Sequence, residues 1–420
     1  MQTSLVARLA VGALALLMIA ATDHARAGAF EYLGQQIVPS GTAFGGTTVG
    51  GLSGIDFVAG TGRYVAISDD RSSLQAARTY GLSLDLAAFN RSAAPGNAGV
   101  SFDSVTTIQR PDGTPFPTST VDPESLRFDA RRGTMYWSNE GQRSAAGFQA
   151  PTVREMRLDG SAVRDFSVPM RYVPSGSSSG STAGDKGVYN NLAFESLTLS
   201  TDGNTLYTAT ENALAQDGPP ASSAAGSPSR ILSFHIASGQ AGAEYVYNVS
   251  PVALPANPAG GFATNGLTDL LAVGDRQFIA IERSFAVGAA TPGSGPNGLP
   301  TGNTIRLYFV DARQATDVST LDSLAGQSYT AANKTLLLDL STLKNDDGSA
   351  LALDNIEGLT LGPMWRGKQT LMLVSDNNFS GGQFTQFVAL SLTSPIPEPA
   401  SAALLLPGLL LLALRRKRAA

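Results

Sequence analysis

The chain has 420 residues, 29 Lys plus Arg against 34 Asp plus Glu, two histidines and no cysteine. That acidic balance excludes a nucleic-acid-binding surface, which depends on clustered lysine and arginine. The missing cysteines exclude disulfides and thiolate metal sites. His24 lies in an N-terminal segment, so His235 is left alone, which excludes multi-histidine metal sites and a Ser-His-Asp triad.

Residues 1–27 carry Arg8, an apolar run from Leu9 to Ala21, and Ala25-Arg26-Ala27, an A-x-A cleavage pattern. This reads as a signal peptide, and the protein is expected to be exported. Without it and the C-terminal 26 residues, Lys plus Arg falls from 29 to 23 and Asp plus Glu from 34 to 32, leaving the body, 28–394, at about −9. The body shows no sustained helical period. Short alternating runs bounded by Gly, Asp, Asn and Ser recur throughout, so the expected class is all-β.

A hairpin unit recurs at GLSGIDFVAGTGRYVAISDD (51–70), PESLRFDARRGTMYWSNE (123–140), FESLTLSTDGNTLYTATE (194–211), GLTDLLAVGDRQFIAIE (266–282) and IEGLTLGPMWRGKQTLMLVSD (356–376). Each copy has a strand, a tight turn such as Asp202-Gly203, and a second strand ending in an acid. Two further strand-like runs follow each of the first four copies. After the fifth only QFTQFVALSL precedes the tail, and AFEYLGQQIV (29–38) is expected to supply the missing strand. Four-stranded units in radial repetition, closed by exchange between the termini, predict a β-propeller of five blades, with a sixth from weaker runs left open. The Gly/Ser/Pro-rich stretches 175–187, 215–229 and 286–303 are then loops rimming one channel opening. His235, in ILSFHIAS, reads as a partly buried strand residue. Tyr64, Tyr136 and Tyr207 read as blade core.

Acids sit at both ends of these hairpins: Glu124 with Glu140, Glu195 with Glu211, and Glu357 with Asp376. A regular ladder places the members of each pair opposite one another. Like charges so close call for a cation, an arginine or a shared proton. Asp69 and Asp70 occupy the corresponding end in the first unit, and Glu282 in the fourth, with Asp269 beside Thr268. A ring of blades gathers these carboxylates at one channel mouth. Hard oxygen ligands without histidine or cysteine favour calcium, or alternatively magnesium. The expected metal ligands are Glu195, Glu211, Glu357, Asp376, Asp69, Asp70 and Glu282, and Glu195, Glu211, Glu124 and Glu140 are the candidate catalytic carboxylates. Arg71, Arg78, Arg143 and Arg283 are the candidate anion-binding residues. Two other roles stay open: the repeated acids brace neighbouring blades instead of forming a site, and Asn139, Asn212, Asn377 and Asn378 either cap loops or act as neutral ligands.

The C-terminal segment, 395–420, runs from Pro397-Glu398-Pro399 through an apolar stretch, Ala400 to Leu414, to Arg415, Arg416, Lys417 and Arg418. As a plain sequence it is a short membrane anchor. Its order of parts resembles the PEP-CTERM sorting signal of Gram-negative bacteria that make exopolysaccharide. That resemblance implies an exosortase partner, transient anchoring in the inner membrane, and delivery to the cell surface or extracellular matrix.

The body motifs GLSGIDF with YVAISDDR, PESLRFD with MYWSNEG, AFESLTLS with LYTATENAL, and NIEGLTL with LMLVSDNNF resemble the bacterial phytase-like family known as "esterase-like activity of phytase". The resemblance implies a propeller acting on a small anionic or ester substrate, with metal dependence. Lys186, Lys334, Lys344 and Lys368 are scattered and form no phosphate cradle, which argues against phytate as the preferred substrate. The expected function is therefore exported phosphoesterase or carboxylesterase activity at an acidic, calcium-binding channel mouth. The alternatives are a non-enzymatic, calcium-stabilised propeller held in the exopolysaccharide matrix and a lactonase like the gluconolactonase propellers.

Overall fold

The computed structural model describes residues 30–393. The expected signal peptide and sorting segment lie outside the described residues. Among the described residues no helix is long and apolar enough to cross a membrane.

The unit Tyr32–Ser391 is a five-bladed β-propeller of four-stranded antiparallel sheets. Blade one holds Leu52–Val58, Arg63–Ser68, Arg78–Leu84 and Val100–Thr107, and blade two Pro123–Asp129, Thr134–Asn139, Thr152–Arg157 and Ala162–Asp165. Blade three holds Thr198–Leu199, Thr205–Ala209, Ser227–His235 and Gln240–Val249. Blade four is built from Ala263–Gly274, Gln277–Ala286, Asn303–Asp311 and Asn333–Asp339. Blade five is Asn355–Trp365, Lys368–Asp376 and Thr385–Leu392, with the N-terminal strand Phe30–Val38 paired outside the last of these. The expected closure by the N-terminal strand is therefore present. The first strand of every blade touches the first strands of both neighbours, so the ring closes at five, and no sixth blade forms among the described residues.

Turn chemistry sets each hairpin. In blade three the Asp202 carboxylate accepts from Ser200 Oγ at 2.6 Å and Asn204 N at 3.1 Å, while Gly203 takes a φ of +66°, which glycine adopts without strain. Strand alternation then buries one row of side chains between adjacent blades. Tyr64 packs with Leu52, Tyr80 and Met372 between blades five and one, Tyr136 with Phe194 and Phe234 between two and three, and Tyr207 with Leu267 and Phe278 between three and four. His235 ends its strand exposed to solvent rather than partly buried.

The axis of the ring is filled by one ion pair. Arg127 Nη2 meets Asp269 Oδ2 at 2.9 Å, and both side chains are almost fully buried. The guanidinium donates to the carbonyls of Ile55 (3.0 Å), Leu126 (2.8 Å), Leu270 (3.1 Å) and Leu359 (3.1 Å). The carboxylate accepts from the N–H groups of Leu270 and Leu359, both at 2.9 Å, and of Leu197 at 3.4 Å. Ile55, Leu126, Leu197, Leu270 and Leu359 are equivalent positions of the five inner strands, so every blade is tied to the pair. Asp269, expected among the acids at the mouth, is instead half of this axle. Arg127 also lines a separate cavity of about 490 Å³ with Asp56, Thr198 and Thr360.

Removing one member of such a pair strands a buried charge together with several backbone groups. Asp269→Ala is expected to cost about 3–5 kcal/mol in urea unfolding, and Arg127→Met a similar amount. The double variant should cost less than the sum of the two.

Candidate active site

The five inner strands share an irregularity that aims the acids. In blade one the pairing shifts by one residue between Leu52 and Gly54, leaving Ser53 as the extra residue. The shift falls between Pro123 and Leu126 in blade two, around Glu124; between Leu267 and Asp269 in blade four, at Thr268; and between Ile356 and Gly358 in blade five, at Glu357. In blade three the same offset separates the Phe194–Thr210 bridge from the Thr198–Tyr207 pair, around Glu195. A β-bulge turns its extra side chain away from the sheet face, here toward the axis.

The regular ladder expected from the sequence is thus corrected. Glu211 lies opposite Ala193, whose carbonyl accepts its N–H at 2.7 Å. Glu140 lies opposite Asp122 at 2.9 Å, Asp69 opposite Gly51 at 2.8 Å, and Asp376 opposite Asn355. In blade four the equivalent pair is Gly266 with Arg283. Arginine, not Glu282, occupies the position that is acidic in the other four blades.

These residues converge on one cavity of about 640 Å³. Its lining includes eight carboxylates (Asp69, Asp122, Glu124, Glu140, Glu195, Glu211, Glu357 and Asp376) and two arginines, Arg71 and Arg283. Glu211 is 1% exposed, Asp376 2% and Glu140 3%. Two triads bring carboxylate oxygens within 4.8 Å of one another: Asp122, Glu124 and Glu140, and then Glu140, Glu195 and Glu211. Glu140 belongs to both, and also accepts the Ala193 N–H at 2.8 Å. Arg283 Nη2 lies 3.0 Å from Glu357 Oε1 and 3.4 Å from Glu211 Oε1. Asn355 Nδ2 donates to Glu357 at 2.9 Å and to Asp376 at 3.3 Å. Gly266 is required beside Glu211, because a β-carbon there would overlap its carboxylate.

Burial of like charges dominates the electrostatics. Desolvation, reinforced by Glu195 and Asp122, pushes Glu124 well above the usual carboxylate range. Desolvation with Glu140 and Glu211 does the same to Glu195, and desolvation with Asp69 and Glu357 to Asp376. Burial raises Asp122 and Glu211 to about 7, even with Arg71 and Arg283 nearby pulling the other way. For Arg283, burial opposes the charge but is outweighed by Glu211, Glu357 and Glu195, which hold the guanidinium firmly protonated.

Besides Asp269, four of the residues expected at the mouth are elsewhere. Asp70 points away from Asp69 and receives Arg78 Nη1 at 2.7 Å and the N–H groups of Ser73, Leu74 and Gln75. Arg78, fully buried, also holds Tyr80 Oη at 2.6 Å and the Thr48 carbonyl at 3.0 Å. Arg143 is spent on the carbonyls of Ser175, Ser177, Lys186 and Val188, organising the Gly/Ser-rich loop instead of meeting an anion. Glu282, one residue before Arg283, faces the other side of its strand and bonds Tyr247 Oη (2.8 Å), Asn265 Nδ2 (3.2 Å) and Lys334. Asp69, Glu124, Glu140, Glu195, Glu211, Glu357, Asp376, Arg71 and Arg283 do line the cavity. Sequence reasoning missed Asp122, whose signal was its place two residues before Glu124. Its equivalents Gly51, Ala193, Gly266 and Asn355 are not acids, so no repeat exposed it.

A metal fits this site. The donor set is entirely oxygen, suited to a hard cation. Glu211 Oε1 and Asn303 Oδ1 are buried without hydrogen-bond partners, and both residues line the cavity. Eight carboxylates against two guanidiniums leave an excess of six negative charges if all ionise, which the interior tolerates only with protons or cations.

The fold and this site define a propeller with an acidic, metal-competent central cavity. The chain belongs to the phytase-like family described as "Esterase-like activity of phytase", whose profile matches residues 47–379. No curated protein matches the chain. Among solved structures, a Dos1 propeller is 9% identical, covering 83% of this chain and 69% of its own, with a TM-score of 0.31. Hydrazine synthase of Kuenenia stuttgartiensis is 12% identical over 84% of this chain and 99% of its own, with a TM-score of 0.33. KlHsv2 with loop 6CD replaced by a Gly-Ser linker is 8% identical over 68% and 57%, with a TM-score of 0.26.

Raised carboxylate values mean that the folded protein binds more protons than the unfolded chain from the ordinary carboxylate range up to about 7. Stability from these groups is therefore full at low pH and lost as pH rises through that window. The metal-free protein should melt at a lower temperature at pH 8 than at pH 5. Added calcium should raise Tm at pH 8 and do so much less at pH 5, as followed by differential scanning calorimetry.

Proposed function

We propose that this phytase-like propeller hydrolyses a phosphate or carboxylic ester in its central cavity, with calcium as the metal. The observation carrying this reading is the pair of overlapping carboxylate triads that share Glu140, with Arg283 fixed beside them. Asp122, Glu124 and Glu140 would hold one cation and Glu140, Glu195 and Glu211 a second, with Arg283 beside Glu211. When bound, such an ion polarises the phosphoryl or carbonyl oxygen of an ester and makes its own water more acidic.

The chain supplies the rest. Arg283, braced by Glu211 and Glu357, offers a fixed guanidinium to an anionic oxygen of the substrate, and Arg71 provides a second positive group across the cavity. A ring carboxylate not engaged with a cation takes the proton of the attacking water, and the alcohol leaves carrying a proton. The acids lining the cavity are buried, and the low dielectric on their side strengthens these interactions. We also propose that the domain works outside the cytoplasm, at the cell surface or in the matrix, on the strength of the expected leader and exosortase-processed tail.

Purified protein assayed on p-nitrophenyl phosphate, a p-nitrophenyl acyl ester, a lactone and phytate, with calcium or with chelator, tests the proposal. Calcium-dependent turnover of an ester is expected. Glu195→Gln/Glu211→Gln, which removes two of the three carboxylates that would hold one cation, should lower it about 100-fold with the metal-free Tm retained. Turnover of the lactone alone would select a lactonase. Calcium binding that raises Tm without turnover of any substrate would overturn the hydrolase in favour of a calcium-stabilised surface protein.

A further inference from the structure

The cavity is not uniformly acidic. Blades one, two, three and five supply all eight carboxylates. Blade four and the segment entering it supply Phe262, Thr264, Arg283, Phe285, Thr301 and Asn303, and no acid. Arg283 and Phe285 are two apart on one strand and so face the same way, into the cavity. Thr264 is the cross-strand partner of Phe285. The Phe262 ring lies 6.2 Å from that of Phe285, tilted by 41°, and its backbone carbonyl accepts the Val287 N–H at 3.0 Å.

Phe262 is nevertheless 67% exposed, and Val287 beside it 39%. An apolar patch continuous with a polar cavity marks a place where a ligand's apolar part is covered. Asn303 Oδ1, 3% exposed as a residue and without a partner, adds an unfilled acceptor to the same wall.

We propose that this acid-free wall selects the substrate, a claim that rests on the hydrolase reading of the cavity. The substrate class is a singly phosphorylated or carboxylated ester of an aromatic or compact apolar group. Its anionic end meets Arg283 and the cation-binding acids, and its apolar group lies on Phe262 and Phe285. A polyol bearing many phosphates has no surface for the two rings and sets further negative charge against eight carboxylates. It is therefore disfavoured.

Binding of non-hydrolysable phosphonates separates this claim from the chemistry. Titration calorimetry with the full protein in calcium should show phenylphosphonate binding about 10-fold more tightly than methylphosphonate, the scale of covering one phenyl face. Phe262→Ala, at a mostly exposed position, should bring the ratio of the two affinities close to one, and Phe285→Leu should reduce it. Equal affinities in the unmodified protein, or binding of neither phosphonate, would overturn the proposal. If unequal affinities lost in Phe262→Ala are found without turnover of any ester, the ligand preference stands and the hydrolase reading fails. Turnover with equal affinities has the reverse meaning.

Discussion

The Arg127–Asp269 pair is the constraint on which the rest of the propeller depends. Five twisted sheets arranged about an axis leave a core of backbone ends that no sheet can satisfy alone. Here one guanidinium and one carboxylate bond the same position of all five inner strands, at Ile55, Leu126, Leu197, Leu270 and Leu359. A buried ion pair is weak evidence for net stability, since desolvation offsets most of its Coulombic gain. Its value lies in geometry: seven backbone bonds, four from the guanidinium to carbonyls and three to the carboxylate from N–H groups, fix how the five blades meet. The pair also divides the axis, leaving the acidic cavity on one side and the smaller cavity with Asp56 on the other.

On the acidic side of that pair, a backbone device repeated five times determines what the cavity contains. Each inner strand carries its extra residue two positions before the strand's contact with the axle. The bulged side chain is therefore aimed at a fixed height and angle. Glu124, Glu195 and Glu357 use this position for carboxylates, while Ser53 and Thr268 use it for hydroxyls. The acids of the second strands then face both their own hairpin and the neighbouring blade: Glu140 meets Asp122 and Glu124 within blade two and Glu195 and Glu211 of blade three, which is how it comes to serve both triads. Proximity across blades as well as within them explains why removing a proton from one acid is felt by several others. It also explains why a divalent cation suits this arrangement better than any single arginine.

The architecture was largely legible in the sequence, because the hairpin unit recurs with its turn residues and terminal acids, and because one strand was missing beside the fifth copy. What could not be read was register. Counting residues from Glu195 to Glu211 assumes an unbroken ladder, and a bulge of one residue defeats that count while leaving the pattern of apolar residues intact. The same slip misassigned blade four, where aligning acid with acid selected Glu282 although the backbone equivalent is Arg283. Arginine roles were opaque for another reason. Nothing in the residues flanking Arg78, Arg127, Arg143 and Arg283 separates their roles, yet one holds Asp70, one the axle, one a loop's carbonyls, and of the four only Arg283 faces the cavity. Which partner a guanidinium finds is a tertiary fact, set by residues as far as 232 positions away.

Blade four is where the repeat gives way, and its departure has a physical logic. An acid at position 283 would raise the ring to nine carboxylates and leave Arg71 as the cavity's sole guanidinium, increasing the self-repulsion that burial already intensifies. Arginine there does the opposite: it holds Glu211 and Glu357 in place without metal and keeps one sector of the cavity free of negative potential. An apolar surface next to a multiply charged ring is retained only where that potential is low, since water is drawn strongly to ionised groups and only weakly to phenyl faces. The substitution of arginine for acid and the presence of Phe262 and Phe285 are thus one feature. Together they give an otherwise symmetric ring a direction, with charge-binding groups on four sides and a surface for the organic part of a ligand on the fifth.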